Sequence, residues 1–362
     1  MSGSTGAIGT GYGFLNTLIA NANNVHQQLN TLTEQASSGL VAQTYAGLGS
    51  GAAVSLSLNP QLSALQTYQN NISQATAQMQ VTQTAMTQLQ QIAATFAGDM
   101  PNLTGTNSQE VDSIASQAQS ALTEVAGLLD TQDGDVYVFG GQDTANPPVP
   151  SPNSILTSGF YTQINAAVSA LSTSGAAATT AATLAIAGSN VSGTSPFSAY
   201  MSQPASAIGV QVVQTGDGTT VPIGLLASAN SNVTSTGTST TGSYMRDLMR
   251  ALATIGSMSS SQANDPNFAA LVQDTTTSLN GVVTAMAGDA GALGNTQSAL
   301  TATQTQLSDT ATALTGQVSS VQDADMATTL SDLSAIQTQL QASYRMITTE
   351  GTLSLVSFLP AA

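Results

Sequence analysis

Apolar residues recur along this chain in alternating steps of three and four. The first such seam runs Leu15, Leu18, Ala22, Val25, Leu29, Leu32, Ala36 and predicts one helix, which Gly39 can stop. The next stretch, AGLGSGAAVSLSLNP, is Gly-rich and reads as a connector. A second seam follows: Leu65, Tyr68, Ile72, Ala75, Met79, Thr82, Met86, Leu89, Ala93, Phe96. Only Thr82 breaks it, and Asp99, Pro101 and Gly105 end it. A third runs Val111, Ile114, Ala118, Ala121, Val125, Leu128, with Ser108 as candidate N-cap.

The far end mirrors the near end. Val272, Leu279, Met286, Leu293, Leu300, Leu307, Leu314 and Val321 fall seven apart. The alternate positions are mostly polar (Thr275, Asp289, Thr296, Thr303, Thr310, Gln317), so this helix suits packing against a bundle. Gly288, Gly291 and Gly294 weaken it locally. A last seam holds Met326, Leu330, Leu333, Leu340, Tyr344, Ile347 and Phe358, with Gln337 and Gly351 as gaps. Asp323 and Asp325 precede it, where negative charge favours a helix start.

Between these ends, from about 142 to 255, Pro, Gly, Ser and Thr dominate. IGVQVVQTGDGTTVPIGLL reads as two short strands around a Gly-Asp-Gly turn, and SYMRDLMRALATIG restarts helix. Isolated helices are marginal in water, so the two chain ends must pair to bury their seams. The expected fold is mainly α: a long antiparallel, coiled-coil-like helical bundle from both chain ends, with a β-containing outer insertion domain. Its parts are a terminal helical domain (1–45 with 322–362), a bundle core with a short β hairpin (46–145 with 255–321) and an outer variable domain (146–254). DGDVYVFGG (133–141) stands where helix gives way to insertion; Val136–Phe139 are expected to turn the chain outward and cover one bundle face.

Composition narrows the function. Three arginines, no lysine and 19 acids give a formal charge of −16, which disfavours nucleic acid and anionic membrane surfaces. Only 6% of residues are charged, against roughly 25% in ordinary soluble domains, which reads either as a surface suited to close chain-to-chain packing or as a lineage bias in composition. No apolar run approaches a membrane span. The first residues, MSGSTGAIGTGYGF, lack the basic and apolar regions of a cleaved signal, leaving open export through an uncleaved N-terminus.

Catalytic chemistry finds little purchase. There is no cysteine and one histidine, His26, which rules out a two-histidine zinc motif. His26 sits on a helical seam with no nucleophile elbow nearby, so packing or solvation explains it better than a catalytic triad. GTGYG (9–13) and GLGSG (47–51) lack the lysine of a phosphate loop and follow no strand. Asp133, Asp135, Asp217, Asp323 and Asp325 form no calcium loop, and Asp133 and Asp135 read as turn residues. The expectation is no enzyme, no cofactor and no metal. The Ser/Thr-rich run NVTSTGTSTTGS (232–243) reads as exposed linker.

LNTLTEQASSGL (29–40) resembles the L-x-x-L-x-x-x-x-SSG pattern of the flagellin family, and 63–92 resembles the long helix that follows it. EVAGLLDTQDGDVYVFGG (124–141) is similar to an L-x-x-x-N-x-x-x-x-G-x-Y-x-FGG segment of the hook-associated branch of that family. LGNTQSAL (293–300) and 321–344 resemble its C-terminal helices, and SLVSFL (354–359) resembles that branch's S-L-x-x-x-L end. After SSG the family commonly carries charges; here VAQTYAGLGSGA has none. The resemblance implies a structural subunit of the bacterial flagellum, joining hook to filament. It would be extracellular, exported through the flagellar type III apparatus without signal cleavage, and would self-assemble into a ring or tube. It implies hook-associated proteins and flagellin as neighbours, leaves room for an export chaperone, and involves no membrane insertion. Leu15, Leu18, Val25, Leu29 and Leu32, with Leu330, Leu333, Leu340, Tyr344, Ile347 and Phe358, are the expected assembly residues, since one short helix pair cannot satisfy both seams. Filament flagellin, or an unrelated adhesin or surface-layer subunit, are the alternative readings.

Overall fold

The computed structural model describes residues 8–104 and 108–356. Its long helices are α1 (Ile8–Ser38), α2 (Gly51–Leu103), α3 (Ser108–Leu129), α8 (Phe268–Gln322) and α9 (Met326–Val356). Between α3 and α8 lie the hairpin β1 (Gln132–Asp133) and β2 (Val136–Tyr137), α4 (Gly159–Ser169), α5 (Leu171–Ser174), α6 (Ala176–Ala187), the hairpin β3 (Val212–Gly216) and β4 (Thr219–Pro222), and α7 (Tyr244–Gly256). Both hairpins are antiparallel. The chain forms two compact units: residues 1–66 with 309–362, and residues 67–308.

The larger unit owns the hydrophobic core. The seam of α2 delivers Ile72, Met79, Met86, Leu89 and Phe96 to it, and α3 delivers Val111, Ala118, Leu122 and Val125. Thr82, the polar break, is buried too and is satisfied within its helix, its hydroxyl donating to Gln78 O at 2.9 Å. On α8 the sevenfold positions Val272, Leu279, Met286, Leu293 and Leu300 are buried. The polar alternates Thr275 and Asp289 are buried with them. Thr275 donates to Leu271 O at 2.8 Å. The three glycines leave α8 unbroken. Gly288 has a use: a Cβ there would lie 2.8 Å from a Val233 methyl, so its absence admits the 228–242 loop against the helix.

Three expectations change. The connector reading of AGLGSGAAVSLSLNP holds only to Ser50; from Gly51 onward, through Pro60, the chain is α2. Packing overrides local Gly and Pro preference there, with Ser55 buried and accepting from Gln322 Nε2 at 3.0 Å. The middle third holds more helix than its composition suggested: α4 buries Phe160, Tyr161, Ile164 and Val168, and Ala-rich α6 buries Thr179, Thr183 and Ala187. The run 136–139 is strand only at Val136–Tyr137; Val138 and Phe139 plunge into the core. The N-cap role of Ser108 concerns a side chain outside the described residues.

The corner after Phe139 explains its two glycines. Val138 N donates to Thr131 O at 3.0 Å, and Ala227 N donates to Phe139 O at 3.1 Å, joining hairpin to insertion. A Cβ on Gly140 would sit 2.5 Å from Asp143 O. One on Gly141, at φ +60°, would sit 2.6 Å from Gly209 O.

Candidate assembly surface

In the smaller unit α1 packs against α9. The pair runs antiparallel: Val41 N donates to Gln322 O at 2.7 Å and Ala324 N to Gly39 O at 2.8 Å, while Leu32 and Ile336 share one groove. Gly39, at φ +73°, ends α1 as its position predicts. The SSG triplet builds the corner. Ser37 and Ser38 donate back to Glu34 O at 3.0 and 2.8 Å, and Gln35 Nε2 donates to Val41 O at 2.8 Å. Backbone and amide bonds pin this corner, which fits the uncharged segment after it. Asp325 caps α9, accepting from Ala327 N at 3.0 Å and from the Thr328 hydroxyl at 2.8 Å, and these bonds hold its carboxyl below the usual range.

On α1, Ala22 and Val25 are buried and Leu18, Leu29, Leu32 and Ala36 half-buried. The side chain of Leu15 and all of Phe358 lie outside the described residues. On α9 the expected single seam divides. Leu333, Leu340 and Ile347 are at least half-buried, with Thr329, Ile336 and Ser343 filling the alternate places. Met326, Leu330 and Tyr344 are exposed instead, Leu330 and Tyr344 each by 52%, and Met346 joins them at 54%. Heptad spacing could not separate these lines, because neighbouring stripes on one helix differ by a single residue step. His26 is exposed.

The two units therefore differ in kind. Among the described residues of the smaller unit, the buried apolar side chains are Ala22, Val25, Val318 and Leu340. Of the exposed large apolar residues, all but Val191 and Val212 belong to it: Ile19, Val41, Tyr45, Val54, Leu56, Met326, Leu330, Tyr344 and Met346. These side chains are the candidates for coverage by other chains.

The larger unit holds a polar hub that heptad reading passed over. Every residue of α7 is buried, including two of the chain's three arginines. Arg250 donates to Ser239 O at 3.0 Å and faces Asp274 at 3.5 Å. Arg246 donates to Ser228 O, Ala187 O, Ser189 O and Asn190 Oδ1, and lies 5.0 Å above the Phe197 ring. Asp247 accepts from Thr240 and from both the backbone and the hydroxyl of Thr241. Burial lowers both guanidinium pKa values from their ordinary value and raises that of the Asp247 carboxyl. The available signal was compositional: in a chain almost without cations, two stand four apart in one apolar helix.

The chain thus combines a core-bearing helical unit with a helix pair that leaves many apolar side chains exposed. The comparisons name its kind. The bacterial flagellin N-terminal helical region matches residues 13–144 and the C-terminal helical region matches 276–359, together more than half of the chain. The chain belongs to the bacterial flagellin family. That family is structural and non-enzymatic; its members self-assemble, associate with other flagellar components and lie in the flagellum outside the cell. The chain is also similar to a solved structure from Vibrio parahaemolyticus, described there as a proposed flagellar hook-associated protein. The two are 12% identical with a TM-score of 0.49, over 74% of this chain and 96% of that one. A search of curated protein sequences gave no match. No described helix is long and apolar enough to cross a membrane.

Proposed function

We propose that this flagellar structural subunit sits at the junction of hook and filament. The observation that carries the reading is the corner at 124–141. Its hook-associated type of pattern, ending Phe-Gly-Gly, is used here for a backbone turn that no side chain at Gly140 or Gly141 would permit. In this proposal residues 1–45 with 322–362 form an inner tube, 46–145 with 255–321 the surrounding bundle, and 146–254 the outward part. Leu18, Val25, Leu29, Leu32, Leu333, Leu340 and Ile347 close the helix pair. Leu330 and Tyr344 meet sister subunits, hook-associated proteins or flagellin. Export precedes folding, uses the flagellar type III route, and takes a chaperone that shields the apolar α9 stripe.

Filament flagellin is the second reading, favoured by the same terminal helices. Immuno-electron microscopy of intact flagella separates the two. A single labelled band at the hook boundary supports the junction; label along the whole filament overturns it.

A further inference from the structure

Beside the N-terminus of α7 lies a cleft of about 350 Å³ that the assembly reading leaves unused. Arg246 and Ser243 line it, and they are only 7% and 5% exposed. A guanidinium carries five N–H donors. Arg246 spends one on Ser228 O, two on Ala187 O and Ser189 O, and one on Asn190 Oδ1. One remains. Among the described residues the ion pair is Arg250–Asp274, and Arg246 has no carboxylate at salt-bridge distance. Its sequence neighbour Asp247 is taken up by Thr240 and Thr241 and lines a different cleft.

Ser243 adds an independent sign. It is the N-cap of α7, yet its side chain makes no capping bond, and its buried hydroxyl has no partner. A serine there ordinarily accepts from the first turn of the helix. Instead the Tyr244 N–H is taken by Asn230 Oδ1 at 3.0 Å. The cleft thus brings together a spare guanidinium N–H, an uncommitted hydroxyl and the positive end of a 13-residue helix. Gln203 and Asn190 stand at its rim with amide groups. Asp247, in the first turn of the same helix, offsets the guanidinium charge, so the directed N–H and O–H donors rather than net charge select the ligand.

We infer that this cleft is a binding site for a carboxylate-sized oxyanion, held by Arg246 and Ser243. The oxyanion is either a small free acid or an Asp or Glu side chain of another subunit, and the recognition chemistry is the same for both. The acidic surface repels free anions at long range, so the affinity is modest and short-range bonds dominate it.

The test uses the full chain labelled at its arginine side chains, which give three Nε–Hε signals by NMR. Acetate is titrated at constant ionic strength, with chloride as the balance. The expected result is a saturable shift of the Arg246 signal, while buried Arg250 and exposed Arg345 stay in place. Ser243→Ala, which keeps every Arg246 bond, is expected to weaken that saturation by about tenfold. The sources separate when the signal is followed during subunit association without acetate. Movement to the acetate-bound position identifies a sister carboxylate; movement only on adding acetate identifies a free acid. A shift that never saturates, that Arg345 shares equally, or that Ser243→Ala leaves unchanged overturns the site.

Discussion

The Tyr244 hydroxyl donates to the Asp289 carboxylate at 2.7 Å, and both side chains are fully buried. Asp289 also accepts from Asn232 N at 2.8 Å and Ser231 N at 3.3 Å. One carboxylate on a heptad position of α8 therefore ties down the start of α7 and the loop before it. Burial, with Asp289 beside it, pushes the Tyr244 phenol well above its ordinary value near 10. The folded form thus holds its proton longer than the unfolded form. The contribution is full below pH 10 and is lost as pH rises beyond it. Tyr244→Phe should cost about 2 kcal/mol in urea unfolding, because a buried carboxylate loses a donor. Among the eight tyrosines, Tyr244 should ionise only when the fold opens, read at 295 nm.

Asp130, just past α3, accepts from Val149 N at 2.8 Å, and burial raises its carboxyl to about 6 despite that bond. The raised value makes the protonated form the one that stabilises the fold. Its contribution is present at acid pH and is lost as pH rises through about 6. Asp325 and Asp112 act in the opposite sense, their carboxyls being lowered by hydrogen bonds. Asp130→Asn keeps an acceptor for Val149 and removes the buried charge. It should flatten the fall in melting temperature between pH 4 and 7 and raise it at pH 7, as scanning calorimetry would show.

Arg250 has no exposed surface, and its Nε has no partner. Arg250→Ala should destabilise the larger unit by about 3–5 kcal/mol, since Asp274 and Ser239 O lose their cation. Arg250→Met with Asp274→Leu should recover much of that loss. A double-mutant cycle in urea measures the coupling.

At the Phe-Gly-Gly corner, Gly141→Ala meets both a left-handed backbone and a carbonyl 2.6 Å away. It should cost about 2–4 kcal/mol, more than Gly127→Ala on α3, where a Cβ meets nothing within 4 Å. Thermal melts of the two variants make the comparison.

The sequence disclosed most where periodicity and burial coincide. Seven-residue spacing found the long helices because Met79, Met86, Val272 and Leu279 must all face one core. It could not choose between adjacent stripes, so Leu330 and Tyr344 were grouped with Leu333 and Leu340, although α1 packs on a line through Ile336. Local glycine content misled at Gly51, where contact with Val321 draws the segment into α2. Arg246, Asp247 and Arg250 escaped notice for another reason. Their partners are backbone carbonyls and threonines 50 or more residues away as well as loop neighbours, and no spacing rule encodes such contacts.

Within the helix pair, Leu29→Asp with Leu32→Asp should separate α1 from α9 in each subunit. Amide exchange should quicken throughout 16–38 and 326–349 while protection in α3 and α7 persists. Equal loss of protection in α7 would contradict the division into two units.

The central claim is that the stripe Met326, Leu330 and Tyr344 is covered by other subunits. Sedimentation velocity of Leu330→Asp with Tyr344→Asp, against the unaltered chain under assembling conditions, tests it most directly. The account predicts that the variant keeps its helical content by circular dichroism and stays monomeric. A variant that assembles as far as the unaltered chain would contradict it.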